Sequence, residues 1–262
     1  MAPSPTSDDA ALARFFAKHP GLHLYELGDL AEPFRSHTRF FAATRSDGEI
    51  DAAAALYDGS DPPTLLAFAA DEVERAALLE LLVAVLPTLP PRLYTHLTAG
   101  IEPAFRGFAS REDRGQHAKM VLREPRGGAR ADGAERLGPE HAAEVRAFLD
   151  AAYPGHFFHE RVLEGGMAFG LRDAEGLRCF AGLHVIAPRS VAALGNVATH
   201  PESRGRGYAR RCVAALVEAL VEAEIPAIGL NVEAGNRPAI RLYEGLGFER
   251  VALYAEAIHA RA

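Results

Sequence analysis

The chain has 262 residues, enough for one large or two small domains, and 48 % of them are apolar, so a sizeable core can be buried. A formal net charge of −7 argues against a general nucleic-acid binder, whose surface is normally basic. No stretch approaches 18 uninterrupted apolar residues, so no membrane span is expected. The start lacks a basic segment followed by an apolar run, so no signal peptide is expected either. Cys179 and Cys212 stand in apolar contexts and read as buried, reduced thiols. Together these features lead to the expectation of a cytoplasmic protein.

Residues 39–45 and 50–57 read as a hairpin around Ser46-Asp47-Gly48-Glu49, and 64–69 as a further strand. Asp71-Glu72-Val73-Glu74 is a capping-box start to a helix ending near Leu86. Its apolar run from Ala76 to Leu86 is broken by Glu80 and reads as a core helix. Residues 92–97 form the next strand, and Phe105 to Phe108 follow. The stretch 124–133 is rich in Gly, Pro and charge and is the best linker candidate.

The second half opens with a helix after Leu137-Gly138, with Pro139 in its first turn and Val145, Phe148 and Leu149 on its apolar face. Residues 167–171 and 177–186 read as strands around Asp173-Ala174-Glu175-Gly176, and 191–199 as a third. A helix over 205–221 buries Ala209, Val213, Leu216, Val217 and Leu220 at spacings of three and four. After Pro226 comes a strand over 227–232. Asn236 is an N-cap with Pro238 in the first turn, where no N–H is needed. The last strands run over 248–258. Phe105 to Phe108 echoes the segment from Tyr243 to Phe248, which points to duplication of one βα unit. The alternative is two unrelated α+β halves.

The segment Arg204-Gly205-Arg206-Gly207-Tyr208-Ala209 lies between an apolar run and an amphipathic helix. A strand turning through glycines into a helix N-terminus offers free backbone N–H groups and the positive end of the helix dipole, a site for phosphate or pyrophosphate. A P-loop would need Gly-Lys-Ser/Thr, and Tyr208-Ala209 follow the last glycine instead. A dinucleotide fingerprint would need a third Gly or Ala where Arg210 stands. The pattern Arg/Gln-x-x-Gly-x-Gly/Ala is matched in full by Arg204, Gly207 and Ala209. Before the turn stands Gly195-Asn196-Val197-Ala198-Thr199-His200-Pro201-Glu202. After it, Asn236-Arg237-Pro238-Ala239-Ile240 leads to Leu242-Tyr243 and Leu246-Gly247-Phe248.

With these three pieces in order, residues 191–258 resemble the acyl-CoA-binding core of the GNAT superfamily of N-acyltransferases. The nearest flavour is the C-terminal domain of glycine N-acyltransferase-like proteins. The resemblance runs from about Leu137 to the end and is weak over the first half. It implies an α+β fold of two tandem GNAT-like domains, over 1–124 and 134–262, each a mixed, mostly antiparallel sheet flanked by helices. The first copy reads as degenerate. It has no glycine turn between Ala69 and Asp71, and its helix starts with Asp71, Glu72 and Glu74, which would repel a pyrophosphate. It also has no tyrosine between Thr95 and Phe108.

The resemblance implies acetyl-CoA as cofactor, held by the backbone of Arg204, Gly205, Arg206, Gly207, Tyr208 and Ala209, with glycines allowing close approach. Arg206, Arg210 or Arg211 is expected either to meet the 3′-phosphate or to be plain surface. Val197, Ala198 and Thr199 match the strand that takes the pantetheine arm and polarises the carbonyl. Asn236 matches a cofactor contact and also reads as a simple cap. Tyr243 matches the tyrosine that protonates the departing thiolate, and a phenol pKa of about 10 lies above that of a thiol.

Family positions for the base fall on Ala193 and Asn231, which cannot accept a proton. By alternation Ala193, Gly195, Val197 and Thr199 share one face. His184 is the best substitute base, with His156, His159 and Glu160 in a loop over the acceptor side. No metal site is expected from His156 to Glu160, because no further ligands accompany them. The expected activity is transfer of an acetyl or short acyl group to a primary amine of a small molecule or amino acid. Protein N-termini or lysines are the runner-up acceptors, and an acyl-CoA-binding pseudoenzyme is the rival. The expected state is monomer or homodimer.

Overall fold

The computed structural model describes residues 5–126 and 131–261. Residues 127–130 of the expected linker lie outside the described residues. In chain order the first elements are α1 (Asp9–Phe16), α2 (Leu24–Asp29), β1 (Thr38–Thr44), β2 (Ile50–Tyr57), β3 (Thr64–Ala67), α3 (Glu72–Val85), β4 (Arg92–Thr98) and β5 (Ser110–Leu122). There follow β6 (Glu135–Arg136), α4 (Ala142–Ala152), β7 (Phe169–Asp173), β8 (Gly176–Ala187), β9 (Val191–Thr199), α5 (Tyr208–Glu222), β10 (Ala227–Glu233), α6 (Arg237–Glu244) and β11 (Phe248–Ala260). The architecture is α+β, a mixed sheet with helices against it.

The chain divides into two compact units. Unit 1 comprises residues 1–119, 232–235 and 250–262, and unit 2 comprises 120–231 and 236–249. Unit 1 therefore takes most of the final strand. Its strand order is β1-β2-β3-β4-β11-β5. β1, β2 and β3 form an antiparallel meander, and β3 then pairs parallel with β4 across α3. Leu78, Leu81, Leu82 and Val85 of α3 pack with Leu56, Leu65, Leu93 and Leu97 of the sheet. Their spacing of three and four makes one apolar stripe of the helix.

Unit 2 repeats this order. β7, β8 and β9 are antiparallel, and β9 pairs parallel with β10 across α5. α4 buries Val145, Phe148 and Leu149 against Leu177 and Phe180 of β8. α5 buries Val213, Leu216, Val217 and Leu220, as their spacing predicts, whereas Ala209 is only half-buried. Cys179 and Cys212 are free and buried, as expected.

Three expectations need correction. α5 begins at Tyr208 rather than Gly205, because Gly205 (φ +77) and Gly207 (φ +76) are left-handed and cannot continue a right-handed helix. The last strands are one strand of 13 residues, β11. β5, another 13-residue strand, was not anticipated at all, nor were α1 and α2. Among the described residues no helix is long and apolar enough to cross a membrane.

Candidate active site

β9 pairs with β10 only from Val191 to Leu194, opposite Ala227 to Leu230. Beyond that point β9 continues for five residues, Gly195 to Thr199, bonded on its β8 side through Phe180↔Ala198 and Cys179↔Thr199. Asn231, the next residue of β10, has a buried Oδ1 without a hydrogen-bond partner among the described residues. A buried amide oxygen left unpaired needs a donor from a ligand or water.

Two bulges shape this stretch. His184 is an extra residue of β8 between Leu183↔Leu194 and Val185↔Ala193. Asn196 and Val197 of β9 together oppose the single Ala181, and Asn196 takes φ 53°. Each bulge kinks its strand and re-aims side chains. The alternation expected to run from Ala193 through Gly195 and Val197 to Thr199 is therefore interrupted at Asn196. Val197 and Thr199 are half-buried, while Ala193, Gly195 and Ala198 are buried.

The residues singled out from the sequence fall into three groups. In the first, the His184 ring lies over Gly195, where a Cβ would come within 2.1 Å of the ring. Asn196 donates through Nδ2 to the Phe157 carbonyl at 2.9 Å and touches His184. Phe157 is exposed and stands edge-on to His184, with ring centroids 6.4 Å apart. Burial lowers the His184 pKa, and the Asn196 contact opposes this in part. The ring is thus neutral near pH 7 and able to accept a proton. His156 and His159 are occupied locally. His156 bonds Asp150 at 3.0 Å, and His159 accepts from the Arg161 N–H.

The second group is the glycine turn. A short turn at Pro201–Ser203 brings the chain to Arg204, whose Nε donates to the Thr199 carbonyl at 3.4 Å. Gly207 is the N-cap of α5, no side chain caps the helix, and no acid stands in its first turn. The first-turn N–H groups are therefore free of side-chain acceptors, and the helix dipole adds positive potential there. A Cβ on Gly205 or Gly207 would meet nothing within 4 Å, so these glycines are required by their positive φ and by the approach they leave open. Arg210 donates to the Gly245 carbonyl at 3.1 Å, and Arg211 to the Asp132 carbonyl at 2.9 Å. Arg206 is exposed beside the turn. Asn236 caps α6, accepting from the Ala239 N–H at 3.2 Å.

The third group surrounds Tyr243 of α6. Its ring is buried against Phe248, with centroids 5.8 Å apart. Burial pushes its pKa well up, and the nearby Tyr153 and Cys179 push the same way. Its hydroxyl therefore keeps the proton. Cys179 Sγ lies 3.4 Å from Thr199 Oγ1, at the end of β9.

Residues 135–248 match the model of the acetyltransferase (GNAT) family. This segment is similar to GNAT-family acetyltransferase domains. It holds all three groups, and the expectation of a GNAT acetyltransferase is met at the level of the family. Over 114 residues, 42 % of this chain, the sequence is 35 % identical to a mycothiol acetyltransferase of Brachybacterium faecium. The match covers 33 % of that relative, so the chain spans about a third of its length. A GCN5-related N-acetyltransferase from Sphaerobacter thermophilus matches with a TM-score of 0.64 at 14 % identity, over 100 % of this chain and 96 % of that one. A tandem GNAT protein from the clavulanic acid biosynthesis pathway matches with a TM-score of 0.56 at 17 % identity, over 100 % of this chain and 98 % of that one. At such identities the likeness shows the fold alone.

Proposed function

We propose that this chain transfers an acetyl or short acyl group from acetyl-CoA to a primary amine of a small molecule or amino acid. The observation that carries the reading is the uncapped, acid-free start of α5, directly after a strand that outruns its parallel partner. The unpaired Asn231 Oδ1 at the end of that pairing supports a ligand there. The choice of a small acceptor follows the resemblance of the second half to glycine N-acyltransferase-like proteins. The tandem reading, over 1–124 and 134–262, is supported by the shared order of meander, strand, helix and parallel strand in the two units.

Bound acetyl-CoA would supply the activated thioester. The N–H groups of residues 204–209 hold its pyrophosphate, and Arg206 is the arginine left available for a further phosphate. The backbone of Val197, Ala198 and Thr199 receives the pantetheine arm and polarises the carbonyl. His184, neutral through burial, takes the proton that the amine must lose. Tyr243 retains its proton and gives it to the departing sulfur.

Tyr243→Phe removes one hydroxyl and leaves the ring against Phe248. Turnover should fall about 10- to 1000-fold with CoA affinity nearly unchanged, because the proton is needed as the C–S bond breaks. Steady-state thiol release, after screening amines for an acceptor, checks this. Parent-rate turnover with chemistry rate-limiting would remove Tyr243 from the mechanism. Tight CoA binding without thiol release for any amine would favour the pseudoenzyme.

A further inference from the structure

Arg210 stands in the first turn of α5, three residues after Gly207, yet its guanidinium is used elsewhere. Its Nη2 donates to the carbonyl of Gly245 at 3.1 Å. Gly245 is the C-cap of α6, and Tyr243 lies two residues before it. One side chain thus joins the start of the helix that follows the glycine turn to the end of the helix that carries the tyrosine.

The end of α6 is a natural place for such a tie. The last carbonyls of a helix have no partner within it, and the helix dipole makes that end negative. A guanidinium there is both a donor and a counter-charge, and a bond from a charged donor is roughly twice as strong as a neutral one. Arg210 is half-buried, so water screens it less than a fully exposed arginine. α6 has eight residues, too few to hold its own shape without packing and caps. Its start is fixed by Asn236. At its end Arg126 also reaches a carbonyl, that of Glu244, but at 3.5 Å, the limit of a hydrogen bond.

Gly245 supplies an independent observation. Its backbone is right-handed helical, φ −65° and ψ −15°, which any residue adopts. Conformation therefore does not call for a glycine here. Space does: a Cβ would come within 2.6 Å of Arg210 Nη1 and 3.2 Å of the Arg241 carbonyl oxygen. The missing side chain leaves room for the guanidinium to lie against the end of α6.

We propose that Arg210 is a positioning residue: by holding the end of α6 to the first turn of α5, it sets the Tyr243 hydroxyl toward the sulfur of bound CoA. This rests on the acyl-transfer reading, in which that turn holds the pyrophosphate and Tyr243 gives the proton. The test is NMR of the full chain with tyrosine labelled at Cζ, with and without CoA, alongside CoA affinity by calorimetry. The chain has seven tyrosines, and Tyr243→Phe identifies the Tyr243 signal by its loss. In the parent protein CoA should shift that signal. In Arg210→Met CoA should bind nearly as tightly, and the shift should be lost. Gly245→Ala keeps the arginine but crowds it off the carbonyl, and it should lose the shift too; it also decides the matter where Arg210→Met fails to fold. A parent signal blind to CoA defeats the acyl-transfer reading and this proposal with it. A parent signal that responds, and responds alike in either variant, defeats this proposal alone, since a merely structural tie would lower the melting temperature and leave the shift in place. Loss of CoA affinity in Arg210→Met defeats it as well, by making the arginine a cofactor ligand.

Discussion

The crossovers β3-α3-β4 and β9-α5-β10 make the same parallel connection and begin their helices in opposite ways. At α3 the first-turn donors are already used. Asp71 accepts from the N–H groups of Val73 and Glu74, both at 2.9 Å, and Glu74 reaches back to the Ala70 N–H at 2.8 Å. Glu72 and Glu74 add negative charge. β3 ends where its pairing with β4 ends, and the Ala69 N–H is taken by Thr98 Oγ1. At α5 no side chain caps the helix, no acid stands in the first turn, and β9 runs five residues past its last pair with β10. Both helices carry the same dipole. The difference is that α3 satisfies two of its first-turn N–H groups with the Asp71 side chain, whereas α5 gives its own no side-chain acceptor.

The largest expected effect breaks this difference directly. Gly207→Glu places a carboxylate at the start of α5 and a side chain at φ 76°. CoA affinity should fall about 100-fold or more, read by calorimetry, with the melting curve showing a folded chain. Unchanged affinity would move the cofactor away from this turn.

A smaller effect sharpens the picture of unit 1. Burial makes the folded Glu256 carboxyl hold its proton up to about pH 8, against an ordinary value of 4.5. Between those values the folded state keeps a proton that the unfolded chain has released, so Glu256 lowers stability progressively as pH rises through that window. Glu256→Gln cannot ionise and should lose this slope. Relative to the parent it should gain about 1–3 kcal/mol between pH 5 and pH 8. Urea unfolding at the two values checks the sign, and parallel curves would show that the carboxyl titrates normally.

The smallest effect concerns the capped helix. Asp71→Ala removes the cap of α3 and should destabilise the chain by about 1 kcal/mol. CoA affinity should not change. A gain of a second CoA site in this variant would show that the cap alone had closed the first crossover.

Much of unit 2 was legible because its signals are local. The glycine turn, the three-and-four spacing of Val213, Leu216, Val217 and Leu220, and the Asn236 cap each declare themselves within a few residues. The bulges at His184 and Asn196 were not legible, because they arise from the register of two strands and leave no mark in either one alone. β5 was missed because its first seven residues, Ser110 to Gln116, are exposed and mostly charged or polar, and only Ala118 to Val121 are buried. With β5 missed, His117 and Lys119 had no strand to stand on. The polar face around Glu256 then could not be assembled, since Tyr94 and Glu256 lie 162 residues apart and meet only through the pairing of β4 with β11.

The most direct test of the contrast between the two crossovers is the number of CoA molecules bound per chain, measured by isothermal titration of the full protein. The account predicts one, lost in Gly207→Glu and retained in Asp71→Ala. Two per chain in the parent protein would contradict it, because the capped and acidic start of α3 would then be binding the pyrophosphate it is argued to repel.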